Sequence, residues 1–336
     1  NELVLVYTEI SKIIRKLNKW TRPERRITSI VNIPGQSRIY SMPYGSTLII
    51  GPWNFPVQLS LLPLVSAIAA GNTVILKPSE LTSHTSAILA KLLNKEFPEE
   101  LIFVVEGGVE ASAELLALNF DKIFFTGSTE VGRIVMKAAA ENLTPVTLEL
   151  GGRNPAIVMH DCNLKVAARR LVWGKLYNGS QACVVPNHIY VDESIHDAFL
   201  KEYIHQLEKF LGEDPIKCEA LPRIIDERHF DRLEKLIVKE KVVWGGTSNR
   251  KELFLHPTVM TGVQEEDDVM KEEIFGPIVP ILTFRSVETL LNKMKQQPSP
   301  LALYVFTGNI RLAKQIHKEF RSGGGMINDK VLQFVK

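Results

Sequence analysis

Two α/β units, each a mostly parallel sheet doubly wound by helices, are predicted by this sequence on three observations. Short runs rich in β-branched residues alternate with stretches of helical periodicity. The alternation starts afresh near Gly151, and the 336 residues leave room for about two domains at roughly 150 residues each. The first helix is expected over residues 3–20, where Val6, Ile10, Ile13, Ile14, Leu17 and Trp20 recur at amphipathic spacing. Strands are expected at 47–50, 73–76, 102–105, 122–125 and 146–150, with helices at 57–70, 83–94, 111–117 and 130–141 between them. The second series has strands at 156–159, 188–191, 242–244, 279–284 and 301–306 and helices at 163–177 and 195–211. Such alternation reads as βαβ units, whose ligands bind at the carboxyl ends of the strands. The expected domains are 1–149, with a bridging strand near 36–44, and 150–336. With no Pro/Gly/Ser linker between them, they are expected to pack across a cleft.

Composition narrows the function classes. Apolar residues make up 45% and charged residues 23%, and the net charge is +2. These values belong to a globular chain, and without a basic block they point away from nucleic acid. The longest apolar stretch, 57–70, holds Gln58, Ser60, Pro63 and Ser66, so it is expected to be a buried helix and not a membrane span. The N-terminus lacks the pattern of a secretory signal, and the expected location is the cytoplasm. Cys162, Cys183 and Cys218 form no CxxC pair, which argues against disulfides and a zinc site and for a reducing compartment. No catalytic metal is expected. The missing initial Met points to a fragment.

Several motifs fall where strands end. Thr126-Gly127-Ser128-Thr129-Glu130-Val131-Gly132 joins a strand to a helix, where glycine lets backbone approach a phosphate and the helix start favours an anion. A glycine-bearing turn capped by Ser128 explains the same residues. Lys77-Pro78-Ser79-Glu80 could serve sugar hydroxyls, or be a proline-stopped strand with a solvated charge pair. In Gly51-Pro52-Trp53-Asn54-Phe55-Pro56 two prolines bracket Trp53 and Asn54; the turn could hold the amide toward a developing oxyanion, or simply pack an aromatic ring. Glu149, in Leu148-Glu149-Leu150-Gly151-Gly152, is expected to be partly desolvated, with a raised pKa suited to a general base. A structural ion pair is the alternative. Cys183 closes Asn178-Gly179-Ser180-Gln181-Ala182-Cys183, a glycine-bearing loop expected at a domain boundary, with the access a nucleophile needs.

Taken together, these segments resemble the aldehyde dehydrogenase superfamily, most of all its class 3 or fatty aldehyde branch. The matching stretches are GPWNFP, AAGNTVILKPSE, FFTGSTEVG, TPVTLELGGRNPAIV, the NxxQxC segment, EEIFGPIVPIL and PLALYVFTGN, in the family's order along nearly the whole chain. The resemblance implies a Rossmann-like cofactor domain and a catalytic domain, and NAD(P)-dependent oxidation of medium- or long-chain aliphatic or aromatic aldehydes to acids. It makes Cys183 the nucleophile, with Asn54 and the Cys183 N–H holding the oxyanion, and Glu149 the base that activates water against the thioester. The implied cofactor contacts are Lys77 and Glu80 at the adenine ribose and Ser128, with Gly127 and Gly132, at the pyrophosphate. Glu273 would take the nicotinamide ribose, with Phe275 and Trp53 nearby. Glu80 favours NAD, although NADP is compatible with this branch, and the full-length protein is expected to be a homodimer. Ser180 departs from the family's usual glycine; where that glycine needs positive φ, serine costs on the order of 1 kcal/mol or more. The family's later C-terminal segments lie beyond Lys336. A catalytically impaired dinucleotide-binding fragment and a coenzyme A-acylating enzyme are the alternative readings.

Overall fold

The computed structural model describes residues 2–330. By its internal contacts the chain divides into two units, Asn1–Leu150 and Gly151–Lys336.

The first unit runs α1 (Glu2–Trp20), β1 (Glu24–Arg26), β2 (Ser37–Ile39), β3 (Ser46–Ile50), α2 (Gln58–Ala69), β4 (Thr73–Lys77), α3 (Ser83–Glu96), β5 (Ile102–Val104), α4 (Val109–Leu116), β6 (Lys122–Gly127), α5 (Thr129–Glu141) and β7 (Val146–Leu150). Strand order is β5-β4-β3-β6-β7, and every pairing is parallel. Period-two alternation sorts its side chains between two cores. Leu48 and Ile50 pack with Ile123, Phe125, Val135 and Ala139 on one face. Ile49 packs with Leu64, Val74, Leu76 and Ala90 on the other. Burial of each such aliphatic side chain stabilises by about 1.5–3 kcal/mol, so both helical layers are fixed.

The second unit runs β8 (Pro155–Val158), α6 (Leu164–Leu176), β9 (His188–Asp192), α7 (His196–Leu211), α8 (Glu227–Lys235), β10 (Val242–Trp244), β11 (Ser248–Asn249), β12 (Phe254–Leu255), β13 (Thr258–Met260), α9 (Asp268–Lys271), β14 (Ile278–Phe284), α10 (Val287–Met294), β15 (Ala302–Phe306), α11 (Ile310–Glu319) and β16 (Gly324–Ile327). Its main sheet has the order β10-β13-β14-β9-β8-β15-β16, parallel except at the β10–β13 edge. Ala156 and Val158 face a core with Leu171, Phe199 and Tyr203. Ile157 faces the opposite core with Phe230, Leu233 and Ile278.

The structure adds elements that the pattern did not announce: α8, α10, α11, β13 and β16. The strand expected near 36–44 is β2, three residues long, paired antiparallel with β1 in a ribbon of its own. Around it, Ile27, Ile30, Val31 and Met42 are exposed by 80% or more of their surface. Among the described residues no helix is long and apolar enough to cross a membrane.

Candidate active site

In the first unit, β3 and β6 are neighbours, but α2 carries the chain from β3 to β4 while α5 leads from β6 toward β7 on the other side. Their carboxyl ends therefore open a topological switch point, the usual seat of a dinucleotide in such sheets. The 51–57 turn, with Trp53, Asn54 and Phe55 partly buried, leaves β3 there. Its far end is fixed by Glu2, whose carboxylate accepts from the N–H groups of Val57 at 2.9 Å and Gln58 at 2.7 Å.

Gly127 and Ser128 leave β6. Ser128 caps α5 by accepting from Val131 N–H at 3.3 Å, and its own side chain is exposed. Gly132 lets α5 close on β7: a β-carbon there would stand 2.6 Å from Leu150 Cδ2. At the end of β4 the Lys77 ammonium, buried, meets the exposed Glu80 carboxylate at 2.8 Å. Exposed helix-start donors, a lysine and a carboxylate at adjoining strand ends suit a phosphate-linked dinucleotide. Glu149 corrects an expectation. It lies on β7, but its side chain is exposed: Leu148 and Leu150 take the covered face of this edge strand, and Glu149 points to the other.

In the second unit α6 ends in a left-handed turn. Asn178 (φ 50°), Gly179 (φ 61°) and Ser180 (φ 66°) follow one another in this region, so the departure from glycine does fall at positive φ. The buried Ser180 hydroxyl donates to the Lys175 carbonyl, one of the orphan acceptors of the helix end. Cys183 follows, partly buried, and none of the three cysteines is in a disulfide. Burial and the neighbouring Asp161 carboxylate push the Cys162 thiol up to about 11, which makes it a poor source of thiolate.

Cys183 precedes β9 and Glu273 precedes β14, so both sit at the amino ends of their strands. The expected carboxyl-end location holds for the motifs of the first unit and fails here. An open cavity of about 650 Å³ does lie at the carboxyl ends of β9 and β14, among Tyr190, Glu265, Phe284 and Lys293. No expected site residue lines it, and its charges are paired, Arg285 with Glu193 at 2.7 Å and Lys293 with Glu265 at 3.3 Å.

Glu273 is turned inward onto the Gly151-Gly152 pair. Its carboxylate oxygen lies 1.8 Å from where a β-carbon of residue 151 would stand, so only glycine leaves it this seat. The residue's surface is only partly covered, but the carboxyl group itself sits among protein atoms. Burial pushes it from 4.5 up to about 7, against the pull of the Gly152 N–H, Arg232 and Lys175. Burial lowers Lys175 to about 7 as well, and the Glu273 charge opposes that shift. Arg232 pins the segment by donating to the Ile274 carbonyl at 2.6 Å and to Glu272 at 2.9 Å. Phe275 next to it has φ 53°.

Sequence reasoning missed three buried residues that hold the Cys183 segment. Asn154 Nδ2 donates to the carbonyls of Cys183 at 2.6 Å and Val185 at 3.0 Å. The Tyr304 hydroxyl donates to Val184 O. Lys175 Nζ donates to Pro186 O at 3.1 Å and Asn187 O at 3.5 Å. Their only sequence signal was membership of matching stretches, or, for Lys175, a lysine on an otherwise apolar helix face.

Residues 3–335 match the aldehyde dehydrogenase family. The chain belongs to that family, an oxidoreductase class that works with NAD or NADP, and its likeness is to the class 3 branch. It is 43% identical over 331 residues to the rat (Rattus norvegicus) "Aldehyde dehydrogenase, dimeric NADP-preferring", covering 98% of this chain and 73% of that protein. It is 42% identical over 324 residues to the "4,4'-diaponeurosporen-aldehyde dehydrogenase" of Staphylococcus aureus (96% and 71%). Among solved structures, the substrate-bound state of Staphylococcus aureus AldH superposes with a TM-score of 0.96 at 40% identity, covering 99% of this chain and 73% of that one. A Mycobacterium tuberculosis aldehyde dehydrogenase complexed with NAD+ gives 0.84 at 28% identity (96% and 68%).

Proposed function

We propose that this protein oxidises hydrophobic aldehydes, of medium or long chain or aromatic, to carboxylic acids through a thioester on Cys183. The observation that carries the reading is the Cys183 segment: a partly accessible thiol on a backbone whose successive carbonyls are held by buried donors. A nucleophile needs that combination of access and rigidity. The Cys183 thiolate adds to the aldehyde carbon, and Asn54 with the Cys183 N–H stabilises the oxyanion. NAD or NADP, when bound, supplies the hydride acceptor. Lys77, Glu80, Gly127, Ser128, Gly132 and Trp53 in the first domain, and Glu273 with Phe275 in the second, are the residues to hold it. Glu149 takes a proton from the water that attacks the thioester; its exposure leaves it free to meet that water.

Residues 1–149 then form the cofactor domain and 150–336 the catalytic domain. The substrate in the name of the Staphylococcus aureus relative, 4,4'-diaponeurosporen-aldehyde, supports a hydrophobic aldehyde. The word "dimeric" in the rat relative's name and the exposed apolar side chains of residues 27–44 support a homodimer.

Rapid mixing with excess NAD and hexanal tests the chemistry. NADH should pass one equivalent per site in the parent, vanish in Cys183→Ala, and stop at one equivalent in Glu149→Gln. Normal steady turnover by either variant removes its residue from the role.

A further inference from the structure

We propose that Asn154 is the positioning residue of the nucleophile, a claim that rests on Cys183 being that nucleophile. Residues 183–187 pass through a turn just ahead of β9, closed by Val185 N–H donating to the Ala182 carbonyl at 3.2 Å, and present five successive carbonyls. Each one accepts from a buried side chain: Asn154 at residues 183 and 185, Tyr304 at 184, and Lys175 at 186 and 187. Backbone ladders normally make such bonds. In this turn no ladder forms, and side chains supply the donors.

Asn154 joins this turn to the sheet. The β8–β9 pairing ends at Pro155 with His188, and the bond from Asn187 N–H to the Asn154 carbonyl, at 2.8 Å, continues it by one step. From there the side chain takes over. Nδ2 donates to the Cys183 and Val185 carbonyls of the turn, and Oδ1 accepts from Ala302 N–H of β15 at 2.8 Å. An amide side chain has two donors and an acceptor, and all three are used here. The residue has no exposed surface. One planar group therefore ties the Cys183 peptide to two strands of the central sheet. It fixes the backbone torsion that aims the thiol, while Tyr304 anchors only the intervening carbonyl.

A side chain that merely filled the core would affect stability and leave the reactivity of the folded thiol alone. The test is the second-order rate of Cys183 alkylation by iodoacetamide, which requires neither aldehyde nor dinucleotide. It is read beside the first-turnover NADH burst, the NAD dissociation constant and the melting temperature. Misplacement of a reacting group by about 1 Å costs on the order of 100-fold. Asn154→Ala should therefore slow alkylation and the burst by about 30- to 100-fold while the NAD constant moves by less than about 3-fold. Asn154→Ser, with one donor left, should fall between it and the parent. Tyr304→Phe should lower the melting temperature comparably yet slow alkylation by less than about 5-fold. Parent-like alkylation by folded Asn154→Ala overturns the proposal, as does equal slowing by Tyr304→Phe or failure of both Asn154 variants to fold. A parent that alkylates at Cys183 but makes no NADH defeats the aldehyde reading and leaves this one standing.

Discussion

A left-handed backbone costs a residue with a β-carbon about 1–2 kcal/mol, and Ser180, at φ 66°, bears that cost three residues ahead of Cys183. Its hydroxyl returns a hydrogen bond to the Lys175 carbonyl worth about 1 kcal/mol, so the two nearly cancel. Ser180→Ala keeps the strain and loses the bond, and urea unfolding should show a loss of about 1–2 kcal/mol. Ser180→Gly exchanges one for the other and should stay within about 1 kcal/mol of the parent. Glu273 carries a different kind of cost. With its carboxyl raised from 4.5 to about 7, the folded protein between those pH values holds a proton that the unfolded chain has released. Raising the pH through that window therefore favours unfolding. Melting curves from pH 5 to 8 should show Glu273→Gln gaining on the parent as pH rises. Lys175 has the opposite sign in a later window: lowered from 10.5 to about 7, its contribution grows as pH rises between the two values. The Ser180 cost was legible as a departure from the family's glycine, whereas the shifts at Glu273 and Lys175 were not. The motif letters point to Ser180 and Glu273, but burial and φ are set by residues far away in the chain, such as Gly151 for the Glu273 carboxyl.

At the level of elements, sequence pattern did better where helices and strands are long and buried on one side. The first unit's parallel strands and α1 appear within a few residues of their expected bounds, because period-two runs such as Thr47–Ile50 have a helix layer on each face. The misses have physical reasons. β16 is Gly-Gly-Met-Ile, poor in strand propensity, and it pairs with β15 because glycine admits the His317 ring, 2.3 Å from where a β-carbon of Gly325 would stand. α8 is so rich in charge that only Phe230 and Leu233 mark its buried face, and Asp226 starts it by accepting from His229 N–H at 2.7 Å. Helix α5 depends on its cap in the same way. Ser128→Ala should lower stability by about 1 kcal/mol in denaturant titration, with α5 loosening at its first turn in hydrogen exchange. Lost protection confined to other helices would show that the cap is not what holds that turn.

For the whole molecule, the two-unit architecture was legible from the restart of strand–helix alternation near Gly151. The end of the sheet that carries Cys183 was not, since the rule that ligands lie at carboxyl ends describes the first unit alone. Of the ribbon, β2 was expected within 36–44, but its partner β1, three charged residues, was not. The ribbon's exposed neighbours are where assembly can be tested. Ile30→Glu with Val31→Glu, at positions 85% and 86% exposed, should shift the mass seen by light scattering from dimer to monomer without changing the melting of an isolated chain. An unaltered mass would take the pairing surface elsewhere. The placement of Cys183 and Glu273 ahead of their strands also makes the second unit a good host for grafted sequence. Cys183 and the inward Glu273 lie at the other end of the strands from Arg285, which extends outward, paired with Glu193. An affinity tag or fluorescent reporter spliced just after Arg285, with Ser286 kept as the cap of α10, would decorate the enzyme at the far end of the strands from the thiol.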